Sequence, residues 1–264
     1  MKNFLDTYNV ETPLCDPEKY PYRHVLMRFF CERDYIRDNQ RTLRNVMHSD
    51  TDVIFQADIF DPSYVDPQGG LVGFAETYAR VIKDSEPNKR WIEDCYGREA
   101  LETLLMRPRV CAGTIFGEAK AYMDAMDKVM IPKLPTCNDQ GIYIVAMYLG
   151  IFAKAGIKTT VQDFAHGAVA TLNAPMARVD MFGRVVNEDM RPYAAVHMAK
   201  RNAVIKEVIE SQYPLSDKEQ LKLSTPNQSQ WRDQFKNEIS NNDDDDEEAQ
   251  HKDTPDAKPD KEGS

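Results

Sequence analysis

The chain lacks the marks by which several functional classes announce themselves. No apolar run approaches the ~20 residues of a bilayer span. The longest nearly unbroken one, Gly141 to Ala153, has thirteen residues and reads as a buried helix. The opening MKNFLDTYNVETP has no apolar core, so no signal peptide is legible and the chain reads as soluble, without a membrane segment. Bases are in deficit, 33 Lys and Arg against 43 Asp and Glu. A nucleic-acid binder needs the opposite balance to displace counterions from phosphates, so that class is excluded. The five cysteines, Cys15, Cys31, Cys95, Cys111 and Cys137, show no CxxC spacing and are odd in number. No zinc knuckle or redox pair is readable, and buried or free thiols are the expectation. There is no internal repeat.

What is present is unevenly distributed. The net charge is −10, but eleven acids face three bases between Asn237 and Ser264, a charge of −8 that leaves −2 on residues 1–236. Two regions follow: a near-neutral body, 1–225, long enough for one closed core, and an acidic, solvated tail, 226–264. The tail holds a lone sequon at Asn227. An irregular arm, 1–20, precedes a helix over 22–45. Further helices are expected over 90–106, 119–130, 138–155 and 200–211, with short strands at 52–56, 71–75, 110–117, 158–161, 168–172, 185–186 and 194–196. Short strands alternating with helices indicate an α/β fold.

Four phrases carry chemistry. Asp50-Thr51-Asp52 places two carboxylates just before an apolar strand, where they suit a hard divalent cation shared with phosphates. Cys111-Ala112-Gly113-Thr114 is a small-residue turn that admits a ligand to the backbone, naming Gly113 and Thr114 for substrate. Asn138-Asp139-Gln140-Gly141 opens a helix with an acid and an amide. Val196-His197 ends an apolar run in an imidazole fit for a metal. Each alone has a plainer reading: a charged turn, a bend, a helix cap, a satisfied histidine. His24, His48 and His166 stand without partners at ligand spacing and read as surface or core.

The order of the four together resembles the GT-A class of nucleotide-sugar glycosyltransferases. SDTDVIFQADIF, Ser49 to Phe60, is similar to the S-D-x-x-D-V-x-F-Q-x-x-x-F pattern of eukaryotic nucleotide-diphospho-sugar transferase domains, with one residue fewer between the acids. VHMAKRN, Val196 to Asn202, echoes their V-H-Q-Y-D-R phrase, with Met198-Ala199-Lys200 in place of Q-Y-D. The resemblance runs from about Tyr20 to Ser211 and implies a GT-A-like mixed sheet flanked by helices. Only 49 residues precede Asp50, fewer than such domains place there, so the chain is either a fragment or has a reduced base-binding half.

The resemblance implies that Mn²⁺ or Mg²⁺ sits on Asp50, Asp52 and His197 and neutralises a leaving diphosphate. Asp139 and Gln140 would stand at the reacting sugar as catalytic residues, with Asp139 as base or orienting group. Gly113, Thr114, Glu76 and Arg201, or Lys200 beside it, would contact substrate. The implied partners are a nucleotide-sugar donor and an undetermined acceptor: glycan, protein or lipid. A Golgi-lumenal location is implied if an anchor precedes this chain. Two rival expectations stand beside this one: a non-catalytic glycosyltransferase-like module binding sugar or protein, and another Mg²⁺-dependent phosphate enzyme. The second rival needs a further tight acid cluster, which the body does not show.

Overall fold

A computed structural model describes residues 15–16, 19–20, 24–76, 80–172 and 178–212, all within one unit, Met1–Gln212. The expected acidic tail 226–264, its sequon and most of the N-terminal arm lie outside the described residues.

Helix α1 (His24–Asn39) ends short of the expected 45. Asn39 closes it, its side-chain amide donating to the Tyr35 carbonyl at 2.9 Å while its own carbonyl accepts from Leu43 N at 3.1 Å. The chain is thereby freed for β1 (Asn45–Ser49), a strand not expected because its sequence, NVMHS, is largely polar. β2 (Val53–Phe55) and β3 (Leu71–Ala75) follow, then α2 (Glu86–Leu104), opened by the Ser85 hydroxyl accepting from Asn88 N. β4 (Val110–Glu118) runs directly into α3 (Ala119–Ala125) and a π-helical turn, Met126–Met130.

The helix expected over 138–155 is two: α4 (Asp139–Tyr148) and α5 (Ile151–Lys154). The break falls at Gly150, whose φ of 71° is left-handed and incompatible with continuing the helix. Beyond lie β5 (Thr159–Gln162), β6 (Val169–Thr171), β7 (Arg178–Val179), β8 (Val185–Val186), β9 (Ala195–His197), a 3-10 turn at Ala199–Arg201 and α6 (Ala203–Gln212).

The fold is mixed α/β. One sheet has the order β1-β4-β3-β5, antiparallel except for the parallel β3–β5 pair. A second, β2-β9-β6, pairs β2 with β9 antiparallel and β6 with β9 parallel, and β7-β8 form a ribbon. Strand alternation divides the core of the first sheet. Leu71 and Ile115 face a helical layer with Phe29, Ile92, Leu104, Tyr122 and Ile142. Val72, Phe74 and Phe116 turn the other way, onto Ile59, Val169 and Ala195. Val196, Ala170, Tyr193, Ile205 and Ile209 form a third cluster under the second sheet and α6.

The cysteines correct the expectation of unpaired thiols. Cys15–Cys31 and Cys95–Cys137 are disulfides, with Cα separations of 5.5 and 5.3 Å, and Cys111 alone is a buried free thiol. The partners are 16 and 42 residues apart, so only the folded chain reveals the pairing. Among the described residues no helix is long and apolar enough to cross a membrane.

Candidate metal centre

β1 delivers the chain to Asp50, whose N–H donates to the Gly113 carbonyl at 2.9 Å, one step beyond the Ser49–Thr114 pair. There the ladder stops, and Asp50-Thr51-Asp52 turns, with Val53 N donating to the Asp50 carbonyl at 3.2 Å. The expected alignment of the two acids along an extended strand is therefore corrected. A turn, not strand alternation, brings them together. β2 then pairs with β9 so that Val53 lies opposite His197, and this register sets the imidazole beside the turn.

His197 Nε2 lies 3.2 Å from Asp52 Oδ1 and 3.5 Å from Asp50 Oδ2. One ligand atom from each of the three residues falls within 4.8 Å of the others. Nε2 is buried, yet its geometry makes a hydrogen bond to neither carboxylate. Gly113 supplies the space: a Cβ there would stand 2.3 Å from Asp50 Oδ2 and 3.0 Å from His197 Cε1. A buried nitrogen without a hydrogen bond, two converging carboxylates and a cleared backbone fit a divalent cation with one nitrogen and two oxygen donors.

A second charge pair adjoins the first. Arg28, on α1, donates through Nη1 to Asp50 Oδ1 and through Nη2 to Asp139 Oδ2, the latter at 3.1 Å. Its guanidinium therefore bridges the turn and the first residue of α4. Burial works to raise the Asp50 carboxyl, but His197 and the Arg28 guanidinium outweigh it and hold Asp50 well below the usual carboxylate range. Burial likewise opposes the Arg28 charge, and Asp50 and Asp139 prevail, raising its pKa. Lys200 Nζ lies 3.7 Å from Asp52 Oδ2, while Arg201 is exposed in the turn after β9. Lys200 thus reaches the cluster.

No protein-family model and no curated protein matches the chain.

The remaining expected residues divide. Asp139 is at the site, held by Arg28. Gln140, expected at the reacting sugar, straps β4 with its amide. Oε1 accepts from Ala112 N at 2.8 Å and Nε2 donates to the Val110 carbonyl at 2.6 Å. The cause is the register shift between β3 and β4 at Gly73/Ala75, which leaves that stretch of β4 to find other partners. Glu76, expected at substrate, is buried in an ion pair with Arg109 at 3.3 Å. Thr114 is fully buried, and its hydroxyl has no hydrogen-bond partner among the described residues. Gly113 makes room for Asp50 and His197.

Sequence reasoning missed Arg28 and the position of Cys111. Arg28 had a signal, a single base within the apolar run Val25 to Phe30. Cys111 had none: its Sγ lies 3.5 Å from His197 Nδ1 across 86 residues of chain. Burial, aided by the charge of Glu76, pushes this thiol well above its usual range, so it stays protonated.

His48, the last histidine before the site, is in the core. Its Nδ1 is 2.9 Å from both oxygens of Glu32, and the Tyr122 hydroxyl donates to the same carboxylate at 2.6 Å. His166 is exposed and pairs with Asp189 at 2.9 Å.

Proposed function

We propose that this chain is a metal-dependent glycosyltransferase of GT-A type, moving a sugar from a nucleoside-diphosphate donor to an acceptor. The observation that carries the reading is the convergence of Asp50, Asp52 and His197, two sequence-distant motifs, on one point within 4.8 Å. These three residues would hold Mn²⁺ or Mg²⁺, which when bound supplies Lewis-acid stabilisation of the leaving diphosphate. An imidazole in the donor set favours Mn²⁺ over the harder Mg²⁺.

The chain's own residues supply the remainder. Arg28 sets a fixed positive charge against Asp50 and Asp139, and Lys200 sets another against Asp52. A group that binds with developing negative charge meets both. Asp139, held by Arg28 at 3.1 Å, would accept an acceptor-hydroxyl proton or orient the sugar. Two disulfides suit an oxidising compartment and support a lumenal location.

The non-catalytic module remains the second reading, favoured by one observation: Arg28 already neutralises Asp50 and Asp139. Incubating the purified protein with UDP- and GDP-sugars and Mn²⁺ separates the two. Transfer or donor hydrolysis that needs Mn²⁺ and falls at least ~100-fold in Asp52→Ala is expected, the size of losing a transition-state contact of ~3 kcal/mol. Donor-independent behaviour, with Asp52→Ala equal to the parent, would sink the enzyme reading.

A further inference from the structure

A neutral imidazole carries one proton on one of its two nitrogens, and only the other can meet a cation. At His197 the nitrogen facing Asp50 and Asp52 is Nε2, so a ligand role requires the proton on Nδ1 and an acceptor beyond it. That acceptor is Cys111 Sγ, 3.5 Å away and inside the reach of a sulfur hydrogen bond. The sulfur is already oriented by the Gly113 N–H, which donates to it at 3.4 Å. The main chain on either side of Cys111 is held by one side chain, since Gln140 bonds the Val110 carbonyl and the Ala112 N–H.

In the metal-free ring a proton on Nε2 faces carboxylate oxygens at 3.2 and 3.5 Å, and the Cys111 thiol can donate to Nδ1. A cation in the triad takes the place of that Nε2 proton. With the proton on Nδ1, a nitrogen lone pair and two carboxylates converge on one point, the donor set of a cation.

We propose that Cys111 is a positioning residue whose sulfur accepts the Nδ1 proton of His197 and fixes the ring in the tautomer that offers Nε2 to a metal. The inference rests on the metal reading of the triad, and the tautomer is read in the Zn²⁺-loaded protein, which is diamagnetic. Sulfur suits the place because a thiol is nearly apolar and can sit fully buried, yet still accepts from two donors. In many metal sites a carboxylate or carbonyl performs this task, and its removal costs about 10–100-fold in metal affinity.

The test uses ¹⁵N-histidine-labelled full-length protein, with His197 assigned by the signals lost in His197→Gln. Zn²⁺-loaded protein is expected to show a proton on Nδ1 of His197 that exchanges slowly with water. In Cys111→Ala that proton should lose its acceptor and exchange faster, while Cys111→Ser keeps the parent signal. Mn²⁺ titration followed by electron paramagnetic resonance should show about 10–100-fold weaker binding in Cys111→Ala and near-parent binding in Cys111→Ser. Cys111→Val, which fills the space without an acceptor, repeats the measurement if the alanine variant fails to fold.

Nδ1–H exchange and Mn²⁺ affinity both unchanged in the Ala and Val variants overturn this proposal and leave the metal reading standing. So does an intense sulfur-to-cobalt charge-transfer band in the Co²⁺ form, which would make Cys111 a direct ligand. A parent that binds neither Mn²⁺ nor Zn²⁺ overturns the metal reading and this proposal with it.

Discussion

Strand β1 ends between two histidine–carboxylate clusters made of the same chemical parts and built to opposite ends. At the first, His48 Nδ1 meets both oxygens of Glu32 at 2.9 Å, and Tyr122 adds a third hydrogen bond to that carboxylate. At the second, two residues further on, His197 Nε2 is no farther than 3.5 Å from two different carboxylates and is bonded to neither. One acid fully bonded to one imidazole makes a structural tie. Two acids that converge on an imidazole without bonding it make a place for something else. The lesson is that residue type does not separate core from site; alignment and the number of carboxylates do.

The comparison breaks most sharply by removing the closed cluster's acid. Glu32→Gln should lower stability by about 2 kcal/mol, the scale of lost charge-assisted hydrogen bonds, and leave Mn²⁺ affinity within about twofold. Urea unfolding and Mn²⁺ titration on the same sample check both halves. Acid should act on this cluster in a set direction. Burial raises the Glu32 carboxyl, but His48 and Tyr122 outweigh it, so its folded pKa is lowered. Its contribution is then present at neutral pH and lost as pH falls below the ordinary glutamate range.

A smaller effect is expected at the strap between the clusters. Gln140→Ala removes two hydrogen bonds to β4 and should cost about 1–2 kcal/mol of stability. It should weaken Mn²⁺ binding too, whereas Gln140→Glu, which keeps the acceptor toward Ala112 N, should retain part of both. Equal Mn²⁺ affinity in parent and Gln140→Ala would show that the metal centre does not need β4 held in place.

The smallest effect belongs to a solvent-facing cluster that serves as a reference for both. Burial opposes the Asp34 charge, but hydrogen bonds from Lys19 and Tyr20 and the neighbouring Arg33 lower its pKa from 3.8 to about 2. Because the folded value is depressed, the stability is full above the unfolded value, and it disappears as pH falls from about 4 toward 2. Water screening limits it to about 1 kcal/mol. The difference in urea midpoint between parent and Asp34→Asn should therefore be small at pH 7 and vanish near pH 2.

The site was legible where its chemistry is written in adjacent residues, and illegible where it depends on chain crossing. Asp50, Asp52 and His197 were found because a DxD and a V-H phrase are local and keep their order. Gln140 was named, but its strap to β4 was not: an amide after a helix cap looks the same whether it faces a ligand or bonds a strand. Cys111 depends on a contact 86 residues away, and the Arg28–Asp139 bridge spans 111. No spacing rule reaches that far.

The fold was legible by the same measure. The α/β alternation followed from periodicity, but β1 was hidden by its polar sequence. The break at Gly150 was hidden inside an apolar run whose hydrophobicity does not register a left-handed residue.

The start of α4 has a mechanical consequence. Cys137, fixed to Cys95, stands immediately before Asn138, whose side chain caps the helix by accepting from Gln140 N at 2.9 Å. Gly141 lets the Trp91 backbone press close from α2, where a Cβ would meet its carbonyl oxygen at 2.6 Å. Asp139 thus rides on main chain clamped from before, behind and beneath. The Asp50–Asp52 turn is strung between two ladders, β1–β4 before it and β2–β9 after it. Asp50 and Asp139 therefore stand on separately anchored main chain, and the Arg28 guanidinium is a strut between two fixed posts.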